Sequence, residues 1–175
     1  MKSILKTGPS VTFPAFMGER IYMAPFRKGS LPFSRWRKTV DTMLDGIETD
    51  EIIYLTVDEG FVQKGALHRR GGPHVDGNYS GSWDFPRPGW KFSSGGGIVL
   101  ASSHVGCQAF DGVVDGQIGA GGDCSGLDLP KPTVLQPNRV HLGNASMVHE
   151  TIPALEDCHR TMVRLTLPES WSLTQ

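Results

Sequence analysis

Glycine and proline interrupt this chain too often for a bundle of long helices. There are 22 glycines and 12 prolines among 175 residues. Each either favours a turn or breaks a helical hydrogen-bond ladder, so the pieces between them suit short strands joined by turns. One segment escapes this rule. Trp36, Val40, Met43, Leu44 and Ile47 recur at three- and four-residue steps and predict an amphipathic helix. Ser34 is placed to cap its start and Gly46 to end it, and its apolar stripe is expected to pack on the outside of a sheet.

From Glu51 the period changes. Residues 52–57 form a β-branched and aromatic run that reads as a buried strand. An extended lead-in is expected over the first 20 residues, with Ile21 and Met23 alternating in a first strand. One or two short strands are expected within 61–70. Further strands are expected at 98–102, 108–110 (ending at the Asp111-Gly112 turn), 139–142, 146–149 and 160–167. Two glycine-rich stretches, 77–97 and 112–126, lie between them. In the first, Trp83, Phe85 and Trp90 are separated by Pro86 and Pro88, so no regular element fits. Long irregular loops in a compact domain are usually functional or mobile. Nothing repeats and no shift in composition marks a boundary. The expectation is one mainly β domain over 1–175, a small antiparallel sandwich or barrel with one supporting helix, burying roughly 70% of its unfolded surface.

The formal net charge is -1 and the pI about 6.6, which gives no bulk attraction to nucleic acid or anionic membrane. The local cluster Arg35-Trp36-Arg37-Lys38 reads as a solvated helix face. No apolar run approaches the ~20 residues of a membrane span. The charged Met1–Lys6 start is not followed by the apolar stretch of a signal peptide, so a cytoplasmic location is expected. Cys107, Cys124 and Cys158 are odd in number with no CxxC pair, and are expected to be free thiols in a reducing compartment. The Asn78 and Asn144 glycosylation patterns read as coincidence. Neither glycine run is followed by the Lys-Ser/Thr of a phosphate-binding loop.

The chemistry concentrates in His74-Val-Asp76, His149, Arg160 and Arg164. Residues two apart in a strand share a face, so His74 and Asp76 would project together into the interior. Burying two such groups without partners is costly, and a bound cation relieves that cost. His149 could supply a third ligand from a strand brought alongside. Two imidazoles and one carboxylate can hold one face of a metal ion and leave the other open, an arrangement suited to Fe(II). In 159–167, Arg160, Met162, Arg164 and Thr166 share one face. If that face looks inward, its guanidinium groups call for an anion, and a bidentate carboxylate is the natural one.

This pattern resembles the Fe(II)/2-oxoglutarate-dependent dioxygenases, whose motif is His-x-Asp/Glu, a distant His and an Arg roughly ten residues further on. The resemblance covers residues 67–168. It implies a double-stranded β-helix (jelly-roll) core with one supporting helix, and Fe(II) held by His74, Asp76 and His149. It also implies 2-oxoglutarate chelated to the metal, with its far carboxylate on Arg160, or on Arg164 followed by Thr166. The substrate would be a small molecule or a protein or peptide side chain. Its selectivity would reside in the loops 77–97 and 112–126, where Trp83 and Trp90 either close over the substrate or cap the sheet.

Rival readings exist. His68, His104, His141 and His159 compete as ligands, with His141 the strongest because it too lies in an expected strand. Arg69 and Arg70 read as surface charge or substrate contacts. Cys107 and Cys124 read as buried thiols. A cupin-like metalloprotein is a second class, although cupins usually present His-x-His with a following Glu. A non-enzymatic jelly-roll, for example a virion-surface subunit retaining a vestigial site, is a third. Fold alone does not separate these.

Overall fold

The computed structural model describes residues 1–76 and 95–173, together with the backbone of Asn78–Tyr79 and Phe92–Ser93. The chain is mainly β. Its strands are β1 (Lys2–Ser3), β2 (Leu5–Ser10), β3 (Arg20–Phe26), β4 (Ile53–Val62), β5 (Asn78–Tyr79), β6 (Phe92–Ser93), β7 (Gly97–Ser102), β8 (Cys107–Phe110), β9 (Gly112–Val113), β10 (Thr133–Val134), β11 (Arg139–Asn144), β12 (Val148–Thr151) and β13 (Cys158–Leu167). A 3-10 turn, Ser34–Trp36, leads into α1, Arg37–Met43, the single α-helix among the described residues.

Six strands form a large antiparallel sheet in the order β2-β11-β7-β13-β4-β3. Three form a small one, β10-β8-β12. β1 pairs with β9, and β5 with β6. Alternation along β13 sorts its side chains between two environments. Val163, Leu165 and Leu167 face α1 and pack with Trp36, Val40, Met43, Leu44 and Ile47, and with Ile53, Leu55 and Val57 of β4. The helix therefore covers the outer face of the large sheet with its predicted stripe. Truncating any one of these buried aliphatic residues to alanine would cost about 2–5 kcal/mol. The opposite face of β13 looks toward the small sheet, where Met162 packs with Ile98, Leu100, Ala109, Leu135 and Met147.

Glu59 is the one acidic residue buried within the outer face among the described residues. Its carboxylate accepts backbone hydrogen bonds from Met17 (3.0 Å) and Glu19 (2.9 Å) and one from the Thr161 hydroxyl (3.2 Å), with an Arg35 guanidinium nitrogen 3.5 Å away. Those bonds fix the segment leading into β3. Burial alone would raise the Glu59 pKa, but these donors and the Arg35 charge hold it below the usual carboxylate range.

Several local expectations are corrected. The first 20 residues contain β1 and β2 rather than a bare lead-in. Ser34 does not cap the helix: the 3-10 turn starts after Phe33 and α1 after Trp36, neither with a side-chain cap bond. Gly46 does follow the helix end, at φ +73, in the left-handed region that favours glycine. No strand forms within 63–70, because the chain turns at Gly65 (φ +80) and the Gly65 amide bonds to Ala154 instead of a neighbouring strand. The Ile21/Met23 alternation is broken by a register shift between Ile21 and Ala24, which leaves Met23 at φ +48. Arg35 is not merely solvated; it pairs with Glu19 and lies over the Trp36 ring.

The stretch 112–126, expected to shape substrate selectivity, packs beside the strand-like segment 73–75. Val114 and Cys124 from it pack with Val75, Phe110 and Val148, with Ile118, Leu127 and Leu129 around them. Phe110 and Val148 point away from the large sheet, so this segment covers the back of the small sheet. No helix among the described residues is long and apolar enough to cross a membrane.

Candidate metal centre

His74 and His149 are 75 positions apart in the chain but directly opposed in space. Each donates its backbone N–H to the other's carbonyl at 2.9 Å, forming an antiparallel bridge beside β12. His74 forms a second bridge, on its other side, with Asp123. Of the expected strand at 74–76, only His74 itself bridges, yet the alternation survives. Val75 points into the apolar cover behind the small sheet, while His74 and Asp76 face the same group as His149.

Directly opposed residues share a face of the sheet, so the two imidazoles meet with ring centroids 4.6 Å apart. Asp76 joins them, its Oδ1 3.9 Å from His74 Nε2 and its Oδ2 3.4 Å from His149 Nε2. One ligand atom from each of the three lies within 4.8 Å of the others. The outer ring nitrogens are already engaged: His74 Nδ1 lies 2.7 Å from the Gly72 carbonyl, and His149 Nδ1 3.2 Å from the Met147 carbonyl. A carbonyl can only accept, so each Nδ1 carries the proton. The Nε2 lone pairs are left facing the carboxylate, the second-tier arrangement usual for metal-binding histidines.

Electrostatics agree with this assignment. Burial, followed by the neighbouring His149, lowers the His74 pKa to about 4, so its imidazole is neutral and able to donate at physiological pH. Burial pushes the Asp76 carboxyl upward, but the charge of the Arg164 guanidinium holds it well below the usual range. Two imidazoles and one carboxylate could hold a divalent cation, and three protein donors leave coordination positions free.

The arginine face of β13 does look inward. Arg164 Nη1 lies 2.5 Å from Asp76 Oδ2, and its Nη2 lies 3.4 Å from the sulfur of Met23. Arg164 therefore grips the Asp76 carboxylate directly. Arg160 is buried and has no carboxylate in contact among the described residues. Its Nη1 lies 3.2 Å from His68 Nδ1, and its Nε is without a hydrogen-bond partner among the described residues. Thr166 continues the same face, half-buried. Cys107 is close enough to feel both Arg160 and Asp76, and burial pushes its thiol up to about 12, so it is neutral.

The rival histidines lie elsewhere. His141 Nε2 lies 3.0 Å from the Gln136 carbonyl, His104 Nδ1 2.9 Å from the Ser103 hydroxyl, and exposed His159 lies against Phe16 and Phe61. Arg69 pairs with Asp58 at 2.8 Å, and Arg70 bonds to the Gly121 carbonyl. Trp83 and Trp90 fall outside the described residues. Sequence reading missed the contacts of Met23, Asp58 and His68; the available signal was Gly60, a glycine inside a strand, which often marks a close approach. Comparison with known protein families, characterised proteins and solved structures found no match for this chain.

Proposed function

We propose that this chain is an Fe(II)- and 2-oxoglutarate-dependent oxygenase with a jelly-roll core, hydroxylating a small molecule or a protein or peptide side chain. The observation that carries the reading is the convergence of His74, Asp76 and His149 on one inward face, opposite two inward-facing arginines. The jelly-roll reading is supported by the path of the chain, which alternates between sheets. β4, β7, β11 and β13 lie in the large sheet, while His74, β8, β10 and β12 line up in the small one. That succession is the one expected of a double-stranded β-helix.

Fe(II) with 2-oxoglutarate would supply the activation of dioxygen needed to hydroxylate a C–H bond. The chain's own residues position and exclude. His74 and His149 offer Nε2, each held in one tautomer by a backbone carbonyl. Asp76 offers a carboxylate oxygen, and Arg164 fixes its orientation and keeps it ionised. Arg160 has its charge uncommitted and is assigned to the far carboxylate of the oxoacid. Arg164, already paired with Asp76, becomes second choice for that role, and Thr166 flanks it.

The same Arg164–Asp76 pair favours one alternative, since a guanidinium that neutralises the carboxylate would also stabilise a vestigial site in a structural jelly-roll. Anaerobic titration with Fe(II) and 2-oxoglutarate separates the two. The oxygenase gives a visible charge-transfer band that is lost in His74→Ala. No band, or one unchanged by that substitution, overturns the proposal.

A further inference from the structure

Arg160 is held in an unusual way for a buried cation. The side chain in contact with its head group is an imidazole rather than a carboxylate: Arg160 Nη1 lies 3.2 Å from His68 Nδ1. The guanidinium can only donate, so His68 Nδ1 accepts and the proton of the neutral ring sits on Nε2. That N–H faces Asp58 Oδ1 at 3.7 Å, and among the described residues both atoms lack a hydrogen-bond partner. Asp58 is itself committed to Arg69 at 2.8 Å and Arg20 at 3.3 Å.

Two glycines make room for this arrangement. A Cβ at Gly60, which is paired with Arg160 across β4 and β13, would fall 2.9 Å from His68 Nε2. A Cβ at Gly106 would fall 2.8 Å from Arg160 Cζ. The guanidinium is thus packed against bare backbone and steered by the imidazole. A carboxylate in the place of His68 would steer equally well, but it would neutralise the charge and compete with an incoming anion. A neutral acceptor orients the cation and leaves its charge whole.

We infer that His68 is a positioning residue, presenting Arg160 to the far carboxylate of the oxoacid and failing to do so once it is protonated. The inference rests on the oxygenase reading of the site. Protonated His68 would turn an N–H toward the Arg160 N–H groups and break the contact. The groups bearing on His68 are Arg160 from β13, Asp58 from β4, Arg69 from its own segment and Arg20 from β3. Burial, then the Arg160 charge, lowers the His68 pKa below 6.5. Contact is therefore held at neutral pH and above and is lost as pH falls through this lowered value. The thiols nearest Arg160, Cys107 and Cys158, are both raised and so uncharged.

The test is 2-oxoglutarate affinity, read from the charge-transfer band with Fe(II) under anaerobic conditions, alongside Fe(II) affinity and thermal unfolding. His68→Phe should weaken 2-oxoglutarate binding by about tenfold or more and leave Fe(II) affinity unchanged. His68→Asn, whose amide oxygen can replace Nδ1, should restore most of it. Gly60→Ala should weaken binding by displacing the ring. Wild-type affinity should fall as pH drops below 6.5, and His68→Asn should flatten that limb. Wild-type affinity in His68→Phe, or equal loss in the Phe and Asn variants, overturns the inference. Failure of the parent reading would show separately, as no band in the wild type. Imidazole nitrogen chemical shifts then judge the His68–Arg160 contact in metal-free protein: Nε2–H at neutral pH supports it, and Nδ1–H overturns it.

Discussion

Glu59 and Arg160 lie one register step apart across β4 and β13, on opposite faces of the same sheet. Both are charged and both are buried. Glu59 has its charge answered by two backbone amides, a hydroxyl and a guanidinium. Arg160 has one neutral imidazole and an unpartnered Nε. The unsatisfied side-chain atoms nearby, on Arg164, His68 and Asp58, also lie toward the inward face. Polar groups that hold the fold are saturated from within the chain. Those facing the small sheet are left short of partners, which is the state expected where a ligand completes the set.

This contrast can be tested from both ends. Glu59→Leu removes the acceptor of two backbone amides and of the Thr161 hydroxyl, and should cost about 3–5 kcal/mol in urea denaturation. A smaller effect follows from titration. Glu59 has a folded pKa below its ordinary 4.5, so its contribution is complete above that pH and is lost as pH falls through it. Glu59→Gln should therefore flatten the acid limb of a stability–pH profile measured by chemical denaturation. The smallest effect is expected on the inward side. Arg160→Met removes an uncompensated charge and should leave stability within about 1 kcal/mol of wild type, or raise it. If Arg160→Met destabilised the protein as much as Glu59→Leu, the two faces would not differ and Arg160 would be a structural ion.

Much of this was legible in the sequence because it obeys simple periods. The α1 stripe follows the helical repeat. His74 and Asp76 obey the two-residue repeat of a strand, and so do Arg160 and Arg164, which is why their shared inward face could be anticipated. His149 was legible as the strand histidine preceding Arg160 at a suitable distance, and His141, its rival, is held by Gln136 instead.

What was not legible depends on neighbours that no period encodes. His68 meets Arg160 across 92 positions through a turn segment, and only Gly60 hinted at it. The bulge that brings Met23 to Arg164 arises from the pairing of β3 with β4, not from β3 alone. Residues 112–126 look like a loop because glycines dominate them. Their few apolar residues, Val114, Ile118 and Cys124, are nevertheless enough to seat the segment behind β8 and β12.

That seat has a further meaning for the imidazole at position 74. His74 is clamped on two sides, by β12 and by the bridge to Asp123, and its neighbour Val75 is anchored in the cover behind. The Val75 amide bonds to Gly122, and the Cys124 amide to Pro73. A single proteolytic nick within the cover would therefore loosen the candidate metal centre from the rear while leaving His74, Asp76 and His149 chemically intact.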